Sequence, residues 1–342
     1  MKFMKVAIAG SLLFSLLPMH SEMLTAQPSP LNSKVFVLDT EAKGWILEKP
    51  LHNGTVLQSF AVDNVNKHVY VVQLMASGQQ LPGESAPVSG AQRDRNGDLT
   101  LTKLNQNGEI VGHMFLKGFG HGVQIGVEPV GDQAYLWTEI DSVTEGNSGW
   151  GTQLARFLFE DGKIVTSASS DIEKYRLIEG VDRTTVNIDQ AHGLLTMRYR
   201  QDGSFRFGVF DLDQVKRGNY TRLADVNQPA VGTFQGFSSY GGYLYLLEGN
   251  SYGSNGSVAP IGNTYITAVD LKTGEVIDKE LIQAGSELSF REPEGMSIRI
   301  PNMKHPHKAE LVFGFATAFT PSRLASMFTI DHLLPAQALK QD

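Results

Sequence analysis

Eight-residue stretches in which β-branched and aromatic residues alternate with polar ones recur along nearly the whole chain. HVYVVQLM (68–75), DLTLTKLN (98–105), QAYLWTEI (133–140), FRFGVFDL (205–212), YLYLLEGN (243–250) and TYITAVDL (264–271) are examples. A period of two lays one face of each stretch against a core and predicts strands. Asn107-Gly108, Asp161-Gly162, Asp202-Gly203 and Thr273-Gly274 fall between such stretches, where tight hairpins need residues that accept a positive φ. Helical periodicity is confined to Ser170–Tyr175, Leu212–Gly218 and the tail.

The strands fall into units of four. Units begin near Gln58, Gln124, Val186, Gln235 and Glu294, at spacings of 66, 62, 49 and 59 residues. A loose repeat of this size, with four strands in each unit, predicts a β-propeller. KIVTSAS (163–169) reads as the fourth strand of the second unit. The fifth unit, PEGMSIRI, AELVFGFA and SMFTIDHL, lacks a fourth strand; KVFVLDT (34–40) can supply it. That pairing closes the ring and removes an exposed sheet edge. The expected fold is all-β: one domain over 27–342, a five-bladed propeller of four-stranded antiparallel blades, closed by the N-terminal strand.

MKFMKVAIAGSLLFSLLPMHSEMLTAQ opens the chain. Lys2 and Lys5 precede an apolar core, Ala7 to Leu17, and small and polar residues follow. This pattern predicts a secretory signal peptide over 1–26, cleaved between Ser21 and Ala26 and too short to span a bilayer. No later stretch is long and apolar enough to span. Asn53-Gly54-Thr55, Asn219-Tyr220-Thr221 and Asn255-Gly256-Ser257 are glycosylation sequons in turn-like contexts. With the leader they predict a secreted, eukaryotic glycoprotein.

Composition excludes several chemistries. A net charge of −7, a pI of about 5.7 and the lack of a Lys/Arg run leave no stripe for a nucleic-acid partner. The chain has no cysteine, which excludes thiol catalysis, iron–sulfur clusters and thiolate zinc sites. Asp94-Arg95-Asn96-Gly97-Asp98 imitates the start of a calcium loop without the distal glutamate, and His305-Pro306-His307 is a pair without a third ligand. No metal site is expected.

In a propeller the inner strands line a central channel, and the loops joining blades, with those between second and third strands, build one rim. Polar residues recur where the inner strands open: Gln58, His121 with Gln124, Thr184 with Asn187, Gln235, and Arg291 with Glu292 and Glu294. They can contact a ligand, or they can satisfy backbone groups where the ring narrows. His121, in GHGVQIGVEP, lies between glycines that let the chain bend tightly; it reads as a ligand contact or as a strand cap. Arg291-Glu292-Pro293-Glu294 puts two carboxylates on one strand face beside a cation, as an acid/base pair or ligand clamp, or as a salt-bridged plug between blades. Glu128 and Glu139 read as structural. Trp137, Trp150, Tyr199, Phe234, Tyr240 and Tyr252 could form an apolar wall. Trp150 and Tyr252 stand out because they sit in loops rich in Gly, Ser and Asn.

GTVLQSFAVDNVNKHVYVVQ, GHMFLKGFGHGVQIGVEP, AYLWTEIDSV, YLYLLEGNSYG and FREPEGM resemble the propeller domain shared by teichoic acid biosynthesis protein C and phage receptor-binding proteins. The resemblance covers nearly the whole mature chain and implies five blades. Bacterial and phage members are associated with wall teichoic acid or a surface glycan. The fungal secreted branch includes proteins that join a tropolone or aryl quinone methide to a humulene-type terpene by hetero-Diels–Alder addition. The leader and sequons lean toward that branch. Such a cycloaddition needs no cofactor, only two partners held face to face, exclusion of water, and donors that polarise a carbonyl. His121, Arg291, Gln124 and Gln58 are the candidate donors, with Gln235, Glu292, Glu294, Trp137, Trp150, Tyr240 and Tyr252 for substrate contact. The implied partners are small polyketide and terpene substrates. The alternatives are a glycan-binding propeller, or a polysaccharide lyase in which Arg291 neutralises a uronate and His121 or a tyrosine takes the proton.

Overall fold

The computed structural model describes residues 34–335; the leader lies outside them. Five antiparallel sheets stand around one axis. Blade 1 runs outward through Leu57–Asp63, His68–Leu74, Leu99–Asn105 and Ile110–Lys117. Blade 3 comprises Asp182–Asp189, Leu194–Gln201, Ser204–Asp211 and Arg222–Asn227. Blade 4 comprises Phe234–Tyr240, Tyr243–Glu248, Tyr265–Asp270 and Val276–Leu281. All three follow the four-strand units of the sequence.

Two edges differ from expectation. Blade 2 is Gly126–Val130, Gln133–Ile140, Gln153–Leu158 and Glu173–Tyr175. Ile164–Thr166, expected as its fourth strand, instead runs parallel to Ile110–Lys117 and adds a fifth strand to blade 1. Glu173–Tyr175, within a stretch expected to be helical, takes the vacated edge. Blade 5 is Glu292–Arg299, Glu310–Thr317 and Leu324–Ile330, and its outer strand is Lys43–Pro50. The ring is therefore closed by an N-terminal strand, but one further along than 34–40. Lys34–Phe36 pairs with Leu333–Pro335, and the amide of Phe36 donates to the Tyr245 hydroxyl at 3.0 Å. KVFVLDT holds the longer apolar run and KGWILEKP the shorter one, so the place each takes follows the seam its side chains fill rather than its pattern. Ile46 fits between blades 5 and 1, whereas Val35, Phe36 and Leu38 seal the seam of blades 4 and 5.

The core is a set of seams. An apolar cluster fills each of the five junctions between neighbouring blades, for example Tyr70, Leu101 and Met114 against Ile125, Val127 and Leu136 between blades 1 and 2. Such seams make ring closure cooperative, since each blade buries a face only against its neighbours. Two short helices interrupt the strands. Helix α1, Gly90–Asn96, lies between the second and third strands of blade 1; Ser89 caps its start and Gly97, at φ 72°, ends it. Helix α2 is Leu212–Lys216. Among the described residues no helix is long and apolar enough to cross a membrane.

Candidate functional site

At the face where the inner strands begin, a cavity of about 550 Å³ opens over the mouth of the ring. Four blades contribute to it: Gln58 from blade 1, His121 from the turn into blade 2, Gln235 from blade 4, and Glu292 and Glu294 from blade 5. Val56, Leu74, Met75 and Ala91 form one apolar wall, and Asp94 of helix α1 stands among the polar groups. The volume lies within the range of small-molecule sites, about 300–1,000 Å³.

His121 is held from behind. The carboxylate of Glu139, wholly buried, accepts the backbone N–H of His121 at 3.0 Å, of Gly122 at 2.7 Å and of Gly151 at 2.6 Å. A Cβ on Gly120 would lie 2.2 Å from the Glu139 carboxylate, and one on Gly151 2.4 Å from its Cβ. The glycine beside His121 thus lets the chain approach Glu139 rather than a ligand. The imidazole lies against Trp150, with ring centroids 4.8 Å apart and planes 24° apart. Its Nδ1 is 3.4 Å from Oδ1 of Asp94, and Oδ2 of Asp94 accepts the Ser148 hydroxyl at 3.1 Å.

Glu292 and Glu294 lie across the same cavity. Register slips between Pro293 and Met296, with Gly295 at φ 71°, where a Cβ would come within 2.6 Å of the Ser59 Cα. This irregularity sets the two carboxyls side by side on the mouth. Burial pushes the Glu294 carboxyl well above its ordinary range, and the charge of Glu292 adds to the rise. Burial also raises Glu292, partly offset by Arg323.

Residues 56–329 match the phage five-bladed β-propeller receptor-binding platform domain. The chain belongs to this family. It is 28% identical over 253 residues to the Bacillus subtilis (strain 168) protein named for major teichoic acid biosynthesis, protein C, covering 71% of this chain and 52% of that one. The tail fiber of Staphylococcus aureus phage P68 shares the fold at a TM-score of 0.64 and 20% identity, over 88% of this chain and 54% of that one. The chain spans about half the length of either relative.

The remaining predicted residues of this propeller lie elsewhere. Gln124 is buried in the channel below the cavity. Its Nε2 donates to the carbonyls of Met296 at 2.8 Å and Ile125 at 3.1 Å, and its Oε1 accepts the amides of Phe237 and Met296 at 3.2 Å each. Nε2 also reaches the Phe60 carbonyl at 3.3 Å, so the side chain is a strap across blades 1, 2, 4 and 5. Asn187 does the same for Ser239, and Gln190 bonds the carbonyls of Val62 and Val127.

Arg291 is also wholly buried, and it does not line the cavity. Its guanidinium donates to the carbonyls of Ile282 at 2.6 Å and Ala284 at 2.9 Å and to the Thr264 hydroxyl at 3.0 Å, and it stacks on Phe315. Neither Glu292 nor Glu294 pairs with it, so the salt-bridged plug is absent and the donors a uronate would need are taken. Tyr252 lies beside Arg291 and gives its hydroxyl to the Pro260 carbonyl at 2.8 Å. Trp137 packs in the seam of blades 2 and 3 and donates to Glu128, while Tyr240 bonds the Pro306 carbonyl at the opposite end of the ring. Tyr199 is bonded to Asp225. The expected aromatic wall is therefore mostly aliphatic.

The stretch that imitates a calcium loop is the end of helix α1: Asp98 accepts Arg93 at 3.0 Å, and Asp94 faces His121. Among the described residues no group of three or more His, Asp or Glu side chains could hold a metal. Asn219 and Asn255 are exposed, but Asn53 is 7% exposed and its side-chain oxygen accepts the Ala76 amide at 2.8 Å. Asn53 is thus not an open acceptor for a glycan.

Proposed function

We propose that the mouth cavity takes a small, partly apolar, oxygen-bearing substrate, and that the protein is a secretory-pathway, cofactor-free catalyst of an intermolecular hetero-Diels–Alder addition. The partners on this reading are a quinone methide and a humulene-type terpene. The observation that carries it is Glu294: a buried carboxyl, without an ion-pair partner among the described residues, facing a cavity walled by Val56, Leu74 and Met75. A carboxyl kept neutral donates its O–H to a carbonyl oxygen and leaves no charge to be solvated. One such preplaced donor is worth about 3 kcal/mol of transition-state stabilisation. The aliphatic wall holds the terpene against the methide, the bound terpene itself covers the open mouth, and proximity supplies the rest. Gln58, Gln235 and His121 add polar contacts.

The test is to incubate the protein with a quinone methide precursor and humulene and to follow adducts by chiral chromatography beside a boiled control. One enantiomer forming faster than in the control supports the reading. Its loss in Glu294→Leu assigns the donor. Equal rates and a racemic product overturn it.

A second reading is glycan binding. Gln58, Gln235, Thr55, Thr320 and Ser77 can read hydroxyls around the same cavity, and the family description and both relatives name receptor binding, teichoic acid synthesis or a tail fiber. It predicts saturable retention on a glycan array with no turnover.

A further inference from the structure

The second strand of blade 3 carries a cation that, among the described residues, makes no ion pair. Arg198 is 6% exposed. Its guanidinium is clamped between two rings, 3.6 Å from the centroid of Phe205 and 3.9 Å from that of Phe234. Its Nε donates to the Gln228 side-chain oxygen at 2.8 Å, which is neutral. Among the described residues no carboxylate pairs with it and none takes its Nη atoms. Arg93, Arg156, Arg200 and Arg206, by contrast, each bond a carboxylate. Burial lowers the Arg198 pKa to about 9, the like charge of Arg183 acts in the same direction, and the charge of the buried Glu139 opposes them.

The geometry restricts what could complete this group. The rings cover both faces of the guanidinium and Gln228 occupies Nε, so the donors left are the Nη edge, which lies in the guanidinium plane. That fork matches a group with two oxygens in one plane sharing a negative charge. Arg198 does not line the mouth cavity itself but stands beside residues that do. Phe234 directly precedes Gln235, which lines the cavity. Arg183 packs over Trp150 at 4.2 Å, and Trp150 lies on His121.

We propose that Arg198 anchors an oxyanion subsite on the blade 3 side of the mouth, which takes a carboxylate or a phosphate edge-on. The subsite does not depend on the cycloaddition, since it concerns one group of one ligand and is read with no second substrate present.

The test titrates benzoate, acetate and inorganic phosphate separately into the protein, by calorimetry and thermal shift. At least one should bind saturably at one site per chain and raise Tm. Arg198→Met, which fills the clamp without charge, should weaken that anion by about tenfold or more, and Arg198→Lys, which keeps the charge but loses the fork, should fall between. Which probes bind identifies the source of the oxyanion. Failure of all three to bind the wild-type protein overturns the proposal, as does equal affinity in Arg198→Met. Should the Met variant not fold, unchanged affinity in Arg198→Lys overturns it.

Discussion

Oδ1 of Asp94 stands 3.4 Å from Nδ1 of His121, although the aspartate belongs to a helix of blade 1 and the histidine to the turn into blade 2. The separation suits an ion pair and is long for a hydrogen bond, a spacing that a bound ligand can tighten. Trp150 packs against one face of the imidazole and Glu139 holds its backbone, at the edge of the cavity.

His121→Ala and Asp94→Asn should therefore act on function more than on folding. Turnover, or ligand affinity if the protein only binds, should fall about 10- to 100-fold for His121→Ala and less for Asp94→Asn. Thermal unfolding should show a small change in Tm for both. A collapse of Tm would return His121 to the role of a strand cap.

Glu139 should behave in the opposite way. Glu139→Ala strands the amides of His121, Gly122 and Gly151 in a buried place, at about 1–3 kcal/mol each. The expected loss is about 3 kcal/mol or more in denaturant unfolding, and Glu139→Gln, which keeps one acceptor, should lose less. Gly120→Ala should destabilise too, since its new Cβ meets the same carboxylate.

The buried carboxyl of Glu294 predicts a pH dependence with a definite sign. Its folded-state pKa is raised by burial, so below the ordinary value of about 4.5 both states hold the proton and its contribution is complete. As pH rises the unfolded chain ionises first, and stability is lost until the folded group ionises as well, at about 1.4 kcal/mol per unit. Glu294→Gln has no proton to lose. Unfolding free energies measured from pH 4.5 upward should show the variant gaining on the wild-type protein. Parallel curves would mean that Glu294 is ionised in the native state.

Gln124 and Gln58 separate the two roles assigned to polar inner-strand residues. Gln124→Ala removes partners from Met296 and Phe237 inside the ring and should cost about 2–4 kcal/mol. Gln58→Ala, at the cavity, should cost under about 1 kcal/mol and weaken the ligand. Equal losses of stability would place Gln58 with the straps.

Glycopeptide mapping of protein secreted from a eukaryotic host should find sugar on Asn219 and Asn255 and none on Asn53. The buried side chain of Asn53 bonds the amide of Ala76 and the hydroxyl of Thr100.

Strand-forming runs such as HVYVVQLM and the Gly-containing turns determined three of the five units whole and the three inner strands of the other two, because strand preference and residues that accept a positive φ are local properties. The same logic located the openings of the inner strands, and with them Gln58, His121, Gln235, Glu292 and Glu294. Tertiary structure decided what local pattern leaves equal. Ile164–Thr166 and Lys43–Pro50 take edges that strand order along the chain does not predict, with Val165 and Ile46 packed into the seams beside them. Gln58 and Gln124 open inner strands alike, yet one faces the cavity and the other straps the channel, since only ring closure fixes which carbonyls come within reach. Asp94 met His121, and Arg198 was left without a carboxylate, through contacts between residues far apart in the chain, for which the sequence carries no local signal.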